Sequence, residues 1–437
     1  MKLVMGFREY IEGINKKGIL RNVDIEVSKK LEISGILKEI EPTPVIFNNV
    51  KESEFRVVGN VFCTKNVIAS YFGVTTADLI PMLSKAIEQR SEPEIVSKAP
   101  CQEIVESEVD LDKIPILFHC EKDGGNYISS AVCVTRDPDY GQNLDFHRAM
   151  QFSKDRFATR IVKGRHFFRF LEKNGELEVA FCVGNTPNIL IAGATSVDIG
   201  VDELHIANAL EPIKIVKAKS VDLLIPAEAE FILEGRVYLE QRHSEGPFVD
   251  LTETYDTIRE EPIFEIKKIT HRKDAIWQAL LPGALEHKIL MGMPREPTIF
   301  KKVNEIGVKC LDVNVNPGGC SWLHAIVQID KRTEDDGKKA IEGAFAGHTS
   351  CKHVFIVDKD IDIYDPLSVE WAMATRFQGD SHMIIKDKEP GSSLDPSAEP
   401  GTKMTTKIGF DFTKPLEVKG KSFDLAEFPK VDVNKYF

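Results

Sequence analysis

A chain of 437 residues, 42% apolar and 28% charged, holds enough apolar material for several cores, and at about 150 residues per domain it should divide into about three. That composition excludes a wholly disordered chain, a collagen-like fibre and a membrane bundle. With 56 Lys and Arg against 68 Asp and Glu, the formal net charge is -12, which disfavours broad capture of nucleic acid or anionic membrane but leaves room for a local basic pocket.

In chain order, residues 1–100 mix strands and helices and predict an N-terminal α/β domain. The β-branched and aromatic run 55–63 reads as a strand. Thr76 then caps a helix whose apolar positions Leu79, Met82, Leu83 and Ile87 share one face, with Pro81 tolerated in its first turns. Residues 101–260 are strand-rich: 177–183, 188–192, 213–217, 222–225 and 231–239 are short apolar runs bounded by turn residues, which suggests a barrel or sandwich. A helix at 205–210 is the plainest interruption. From 261 to 437 strands (308–315, 322–329, 353–357) alternate with helices (336–346, 367–377), as in an α/β layer, and 388–403 reads as a long loop.

The eight cysteines are scattered, and no two form a CxxC pair, so reduced thiols in a cytoplasmic protein are the expectation. The opening residues turn charged before a signal-peptide core can form, and the most apolar stretch, 181–201, is broken by Asn185, Pro187, Asn188 and Asp198; it reads as buried strands and a loop rather than a membrane span.

The common catalytic motifs are missing. No two glycines are separated by a single residue, so a GxGxxG dinucleotide fingerprint cannot occur, and GxxxxGK[ST], HExxH and GxSxG are also absent. Polar residues instead gather in the strand-rich middle. Asn143, His147 and Arg148 fall within six residues, His166 follows Arg165, Glu203 follows Asp202, and Glu245 and Asp250 flank Gly246-Pro247. An amide oxygen, an imidazole and a carboxylate from Asn143, His166 and Glu203 suit Mn²⁺ or Mg²⁺. Arg148 with Glu245 and Asp250 suits holding a carboxylate and moving a proton. Each residue also has an ordinary alternative: a surface histidine, an acidic first helical turn, a turn flanked by solvated acids.

The combination of Asn143-x4-Arg148-Ala-Met150 with Glu245-Gly-Pro-Phe-Val-Asp250 resembles the signature of the UbiD family of decarboxylases, which depend on prenylated FMN. The similarity continues through Thr270-His-Arg-Lys-Asp274, through Val357 to Asp365 with Val369-Glu-Trp-Ala372, and through Leu394-Asp-Pro-Ser397, so it spans nearly the whole chain. It implies an α/β (α+β) protein with an N-terminal α/β domain (1–100), a central split β-barrel that binds the flavin (101–260) and a C-terminal α/β oligomerisation domain (261–437). It implies Asn143, His166 and Glu203 as ligands of a Mn²⁺ that bridges to the flavin phosphate, with Asp202 the rival of Glu203. Around the flavin it implies Phe146, His147, Arg148, Arg165, Gly193, Ala194 and Lys407, and a possible K⁺ near 192–195. Arg148 would orient the carboxylate, Glu245 would partner it, and Asp250 would be the acid/base.

The chain's length is similar to the compact archaeal branch of the family, which acts on anhydromevalonate phosphate and releases isopentenyl phosphate. Arg272, Lys273 and Arg295 are then candidates for a phosphate-binding pocket. A hydroxybenzoate-type acid is the alternative substrate, and a non-catalytic flavin- and metal-binding protein or a metal hydrolase are the alternative classes. The implied partners are a small unsaturated acid, a flavin prenyltransferase as cofactor supplier and further copies of the chain in a homodimer or homohexamer, with neither nucleic acid nor membrane.

Overall fold

A computed structural model describes residues 5–420, 422–426 and 428–436. The class is mixed α/β, as expected. In the N-terminal part, Arg21–Val23, Val45–Phe47, Arg56–Gly59 and Ile276–Ala279 form one four-stranded sheet in that spatial order. Its last strand comes from far along the chain and pairs parallel to Arg56–Gly59, so a return crossing ties the N-terminal layer to the rest. The strand expected over 55–63 is only Arg56–Gly59. Thr75, not Thr76, opens the next helical run: a 3-10 turn Thr76–Asp78 precedes the helix Leu79–Glu88, and Thr75 and Asp78 cap it reciprocally.

The centre is a nine-stranded, largely antiparallel sheet whose path starts at Tyr127–Ile128 and ends at Gly141–Phe146, so it is an open, split sheet rather than a closed barrel. Its spine is the pair Phe231–Glu245 and Arg259–His271, which runs in register from Phe231↔His271 to Glu245↔Arg259 with irregularities at Glu234/Gly235 and Tyr238/Arg242. The strands approach so closely at Gly235 that a Cβ there would lie 1.9 Å from the Glu265 carbonyl oxygen. The boundary expected between 260 and 261 falls inside the second of these strands, which cannot leave the sheet without losing its ladder.

The segment 188–192, expected as a strand, is part of the helix Pro187–Ala194. Proline sits at its first position and all eight residues are buried, so no polar face marks a helical period in the sequence. Burying side chains such as Leu190 and Ile191 contributes about 1.5–3 kcal/mol each. The helix lies under the strand Gly141–Phe146, where Phe146 and Val132 would come within 3.4 Å of a Cβ on Gly193.

The C-terminal sheet has the order Cys310–Asn314, His324–Ile329, His353–Asp358, Met404–Asp411, Met383–Pro390. Helices Glu296–Glu305 and Asp336–Gly347 pack together against one face of it, and Pro366–Arg376 packs on the other, with Ile326, Phe355 and Phe412. Part of the loop expected over 388–403 is the end of the strand Met383–Pro390. No single described helix is long and apolar enough to cross a membrane. All eight cysteines are free thiols.

Candidate active site

The central sheet, the segment 280–295 and the C-terminal layer enclose a cavity of about 450 Å³, within the usual range for small-molecule sites. At one end lies Arg148, just before the strand Ala149–Gln151. Its Nε and Nη2 donate to the two carboxylate oxygens of Glu245 at 2.9 and 3.0 Å, a bidentate pair. Nη1 donates to Asp250 Oδ2 at 2.6 Å and Nη2 to Asp256 Oδ2 at 3.0 Å, while the guanidinium carbon sits 4.7 Å from the centre of the Phe248 ring. Glu245 is fully buried behind Arg148 and also accepts from the Tyr127 hydroxyl at 3.0 Å. Against the desolvation of its burial, Glu245 first and then Asp250 and Asp256 raise the Arg148 guanidinium above its ordinary pKa. Burial opposes, but Arg259 and Arg148 together bring Asp256 down to about 2. One cation thus organises three carboxylates.

The turn between Glu245 and Asp250 is tight for a sequence reason. Gly246 has φ +103, and Gly124, whose amide donates to Pro247 O at 2.8 Å, approaches so closely that a Cβ on it would lie 2.2 Å from Gly246 O. Asp250 is held by its own loop: its amide donates to Thr254 O at 3.0 Å, and its Oδ1 accepts from the Leu251 amide at 2.7 Å. Glu253 in that loop has φ 60 and is ion-paired to Lys288, with Lys38 3.5 Å away.

Asn143, His166 and Glu203 line another wall of the cavity. Asn143 Oδ1 lies 3.2 Å from His166 Nδ1, and Glu203 Oε2 accepts from the Leu144 amide at 2.8 Å. Glu203 has no cation beside it among the described residues, and burial lifts its carboxyl well above the ordinary range. The Asn143 Nδ2 is sealed without a partner. A buried acid with no counter-charge, next to an amide and a neutral imidazole kept so by burial, is the donor set a Mn²⁺ ion takes. These residues fit the group. Asp202, the rival, caps the helix Glu203–Leu210 through the Leu204 amide at 2.9 Å and does not border the cavity.

The other expected residues divide. Phe146, His147, Arg165, Gly193 and Ala194 all border the cavity. Lys407 does not: strand alternation turns it toward the helix Asp336–Gly347, where its Nζ donates to Thr349 O at 2.5 Å, and Lys403 borders the cavity instead. Arg272 is engaged by Glu228, Glu9 and Glu230 at the N-terminal layer, Lys273 follows it there, and only Arg295 of the three basic candidates reaches the cavity.

Sequence reasoning missed His287, Asp256, Phe248, Trp322 and Ser392, which also line it. His287 accepts from the Gly283 amide through Nδ1 at 3.0 Å, leaving Nε2 as its donor, and burial lowers its pKa while Asp250 opposes. Phe248 sits inside the Glu245-Gly-Pro-Phe-Val-Asp250 string, and no short motif carries the other four. Phe248 and Asp256 alone lie close enough to Asp250 in sequence to have been suspected.

A cavity of this kind, with an arginine shared among acids and a wall of metal-ligand type, defines a site for removing or transferring a carboxylate. Family sequence models match the chain in three successive parts: the 3-octaprenyl-4-hydroxybenzoate carboxy-lyase N-terminal domain over residues 11–87, the Rift-related domain over 94–285 and the C-terminal domain over 288–412. The chain belongs to the UbiD family and is a carboxy-lyase. It is 43% identical over 411 residues to an anhydromevalonate phosphate decarboxylase of Methanocaldococcus jannaschii, covering 92% of this chain and 96% of that one. It is 40% identical over 433 residues to the Methanosarcina mazei enzyme of the same name, covering 98% and 100%. Among solved structures, the UbiD-class enzyme HmfF from Pelotomaculum thermopropionicum in complex with FMN superposes with a TM-score of 0.95 at 32% identity, covering 99% of this chain and 100% of that one. An evolved dimeric form of HmfF, in complex with prFMN, superposes at 0.91 and 31% identity, covering 99% and 100%.

Proposed function

We propose that this protein decarboxylates trans-anhydromevalonate 5-phosphate to isopentenyl phosphate with prenylated FMN as cofactor. The observation that carries the reading is Arg148, clamped by buried Glu245 and presented to Asp250 inside a cavity, in a chain 43% identical to a decarboxylase of that name. The reaction takes up one proton and releases CO2; a C–C bond breaks, a C–H bond forms, and there is no net oxidation. When bound, the prenylated flavin supplies an electron sink for the pair left by the departing carboxylate.

The chain's own residues do the rest. Arg148 offers a fork that a substrate carboxylate can take over from Asp250, and Glu245 keeps that fork in one plane. Asp250, freed from the arginine, carries the proton to the carbon. Phe248, stacked on the guanidinium, narrows the water's approach. Asn143, His166 and Glu203 would hold Mn²⁺, whose charge would help to retain an anionic cofactor. The further reading is of a cytoplasmic homo-oligomer, joined through its C-terminal domain and supplied with cofactor by a flavin prenyltransferase.

The test is anaerobic co-expression with that prenyltransferase and Mn²⁺, followed by mass spectrometry of the phosphorylated acid with 4-hydroxybenzoate in parallel. CO2 loss from the phosphorylated acid alone is expected; loss only from the aromatic acid overturns the substrate. Asp250→Asn should retain bound flavin and lose about 10²–10⁴-fold in turnover. Unchanged turnover would remove Asp250 from the proton step.

A further inference from the structure

The cavity has two chemically opposite ends. Around Arg148 one cation faces three carboxylates; at the other end two guanidiniums face none. Arg295 and Arg165 both donate to the Ser196 hydroxyl, Arg165 at 3.3 Å, and Arg295 also donates to Ala194 O at 2.7 Å. Among the described residues neither arginine has a carboxylate partner, and the Arg295 Nε is sealed from solvent with no hydrogen-bond acceptor. Arg295 lies 5.2 Å over the Trp322 ring, which fixes its plane. Burial, and then Arg165, lower the Arg295 pKa to about 10, in keeping with a cation that has no carboxylate partner. The C-terminal domain adds Ser350, Ser393 and Lys403 to the cavity lining, hydroxyls and an ammonium with no acid among them.

Two like charges sharing one hydroxyl repel, and a ligand that brings two negative charges and several acceptor oxygens relieves that repulsion. The scaffold also sets a length. His287, which lines the cavity together with Asp250, and Arg295 lie on one continuous helical run, Leu285–Gly292 followed by Met293–Arg295, roughly 12 Å apart at 1.5 Å per residue. Leu290 and Met291 line the cavity between them. A ligand that spans the cavity is therefore a carboxylate at one end, an apolar body in the middle and a dianion at the other.

We propose that Arg295 and Arg165, through the Ser196 hydroxyl they share, form the seat for the phosphate monoester of the substrate, and that this seat selects phosphorylated over free unsaturated acids. The inference rests on the proposed function and is separable from it. In holoenzyme, kcat and KM are measured for trans-anhydromevalonate 5-phosphate and for the same acid bearing a free hydroxyl, with bound flavin followed by absorbance. Arg295→Met should raise KM for the phosphorylated acid, so that the preference for it in kcat/KM falls about 10- to 100-fold, while flavin content stays at the wild-type level. Arg295→Lys keeps the charge and should recover part of that preference, and Arg165→Gln should shift it in the same direction. Inorganic phosphate should compete with the phosphorylated acid in the wild type and lose that effect in Arg295→Met.

Loss of flavin from Arg295→Met would overturn the proposal by assigning this end to the cofactor's phosphate. An equal fall for both acids would overturn it by making Arg295 a structural residue. A wild-type enzyme that turns over the free acid as well as the phosphorylated one would overturn the substrate reading itself, a different failure from either.

Discussion

Replacing Glu245 with Gln tests the arrangement at its centre. The wild-type carboxylate is inaccessible to solvent and accepts three hydrogen bonds, two from Arg148 at 2.9 and 3.0 Å and one from Tyr127 at 3.0 Å. Gln offers one oxygen and one NH2, so in either orientation its NH2 faces a nitrogen of Arg148. One charge-assisted bond disappears, at about 1.5–3 kcal/mol. The loss stays below the roughly 3–5 kcal/mol of breaking an isolated buried pair, because Asp250 and Asp256 still neutralise the arginine. About 2–3 kcal/mol is expected, which in a chain of this size lowers Tm by roughly 2–3 °C. The catalytic effect should be larger. Without the bidentate clamp the guanidinium can rotate, and a displacement of about 1 Å costs about 10²-fold in kcat/KM.

The assay is CO2 release with flavin-loaded enzyme, alongside thermal unfolding and a double-mutant cycle with Tyr127→Phe, which should retain much of its effect in the Gln background because the amide oxygen still accepts from the tyrosine. A Glu245→Gln enzyme within about threefold of wild type and with the same Tm would refute the claim that Glu245 sets the plane of Arg148.

Glu203→Gln should lose about tenfold or more in Mn²⁺ affinity, read by metal analysis of purified protein, whereas Asp202→Asn should keep the metal and disturb only a helix cap; the reverse outcome would exchange their roles. Lys288→Met should lower kcat about tenfold with little change in Tm, because it frees Glu253 and with it the loop that holds Asp250; an unchanged kcat would show that the loop holds itself. His119 is buried with its Nδ1 unpaired, and burial lowers its pKa to about 3. The unfolded chain takes up that proton near pH 6.5 and the folded chain does not until about 3, so His119 removes stability as pH falls through that window. His119→Asn should relieve about 2 kcal/mol of the loss between pH 6.5 and 5 in urea titrations, and equal slopes for the two proteins would refute the assignment.

The local signals in this sequence are short-ranged, and what they determined is correspondingly local. The alternating strand at Glu176–Val183, the helix Asp336–Gly347 and the glycine-proline turn that brings Glu245 and Asp250 close together all follow from neighbours within a few positions. So do the residue types able to hold a metal or a carboxylate. The resemblance carried by those motifs added the roles. The helix Pro187–Ala194 escaped, because a segment buried on every side shows no period.

Which residues share the cavity was a tertiary decision. Arg148 meets Asp250 across 102 positions because the strand pair Phe231–Glu245 and Arg259–His271 lays the 245–256 segment over it. Lys407 was expected beside the flavin, but the direction of one strand turned it into the C-terminal layer. Arg295 and Trp322 carry no motif, and they reach the far end of the cavity only because the C-terminal domain docks there. Long-range pairing and domain packing set those distances. They depend on how whole sheets and layers bury their apolar faces, a property distributed over hundreds of residues and absent from any short stretch.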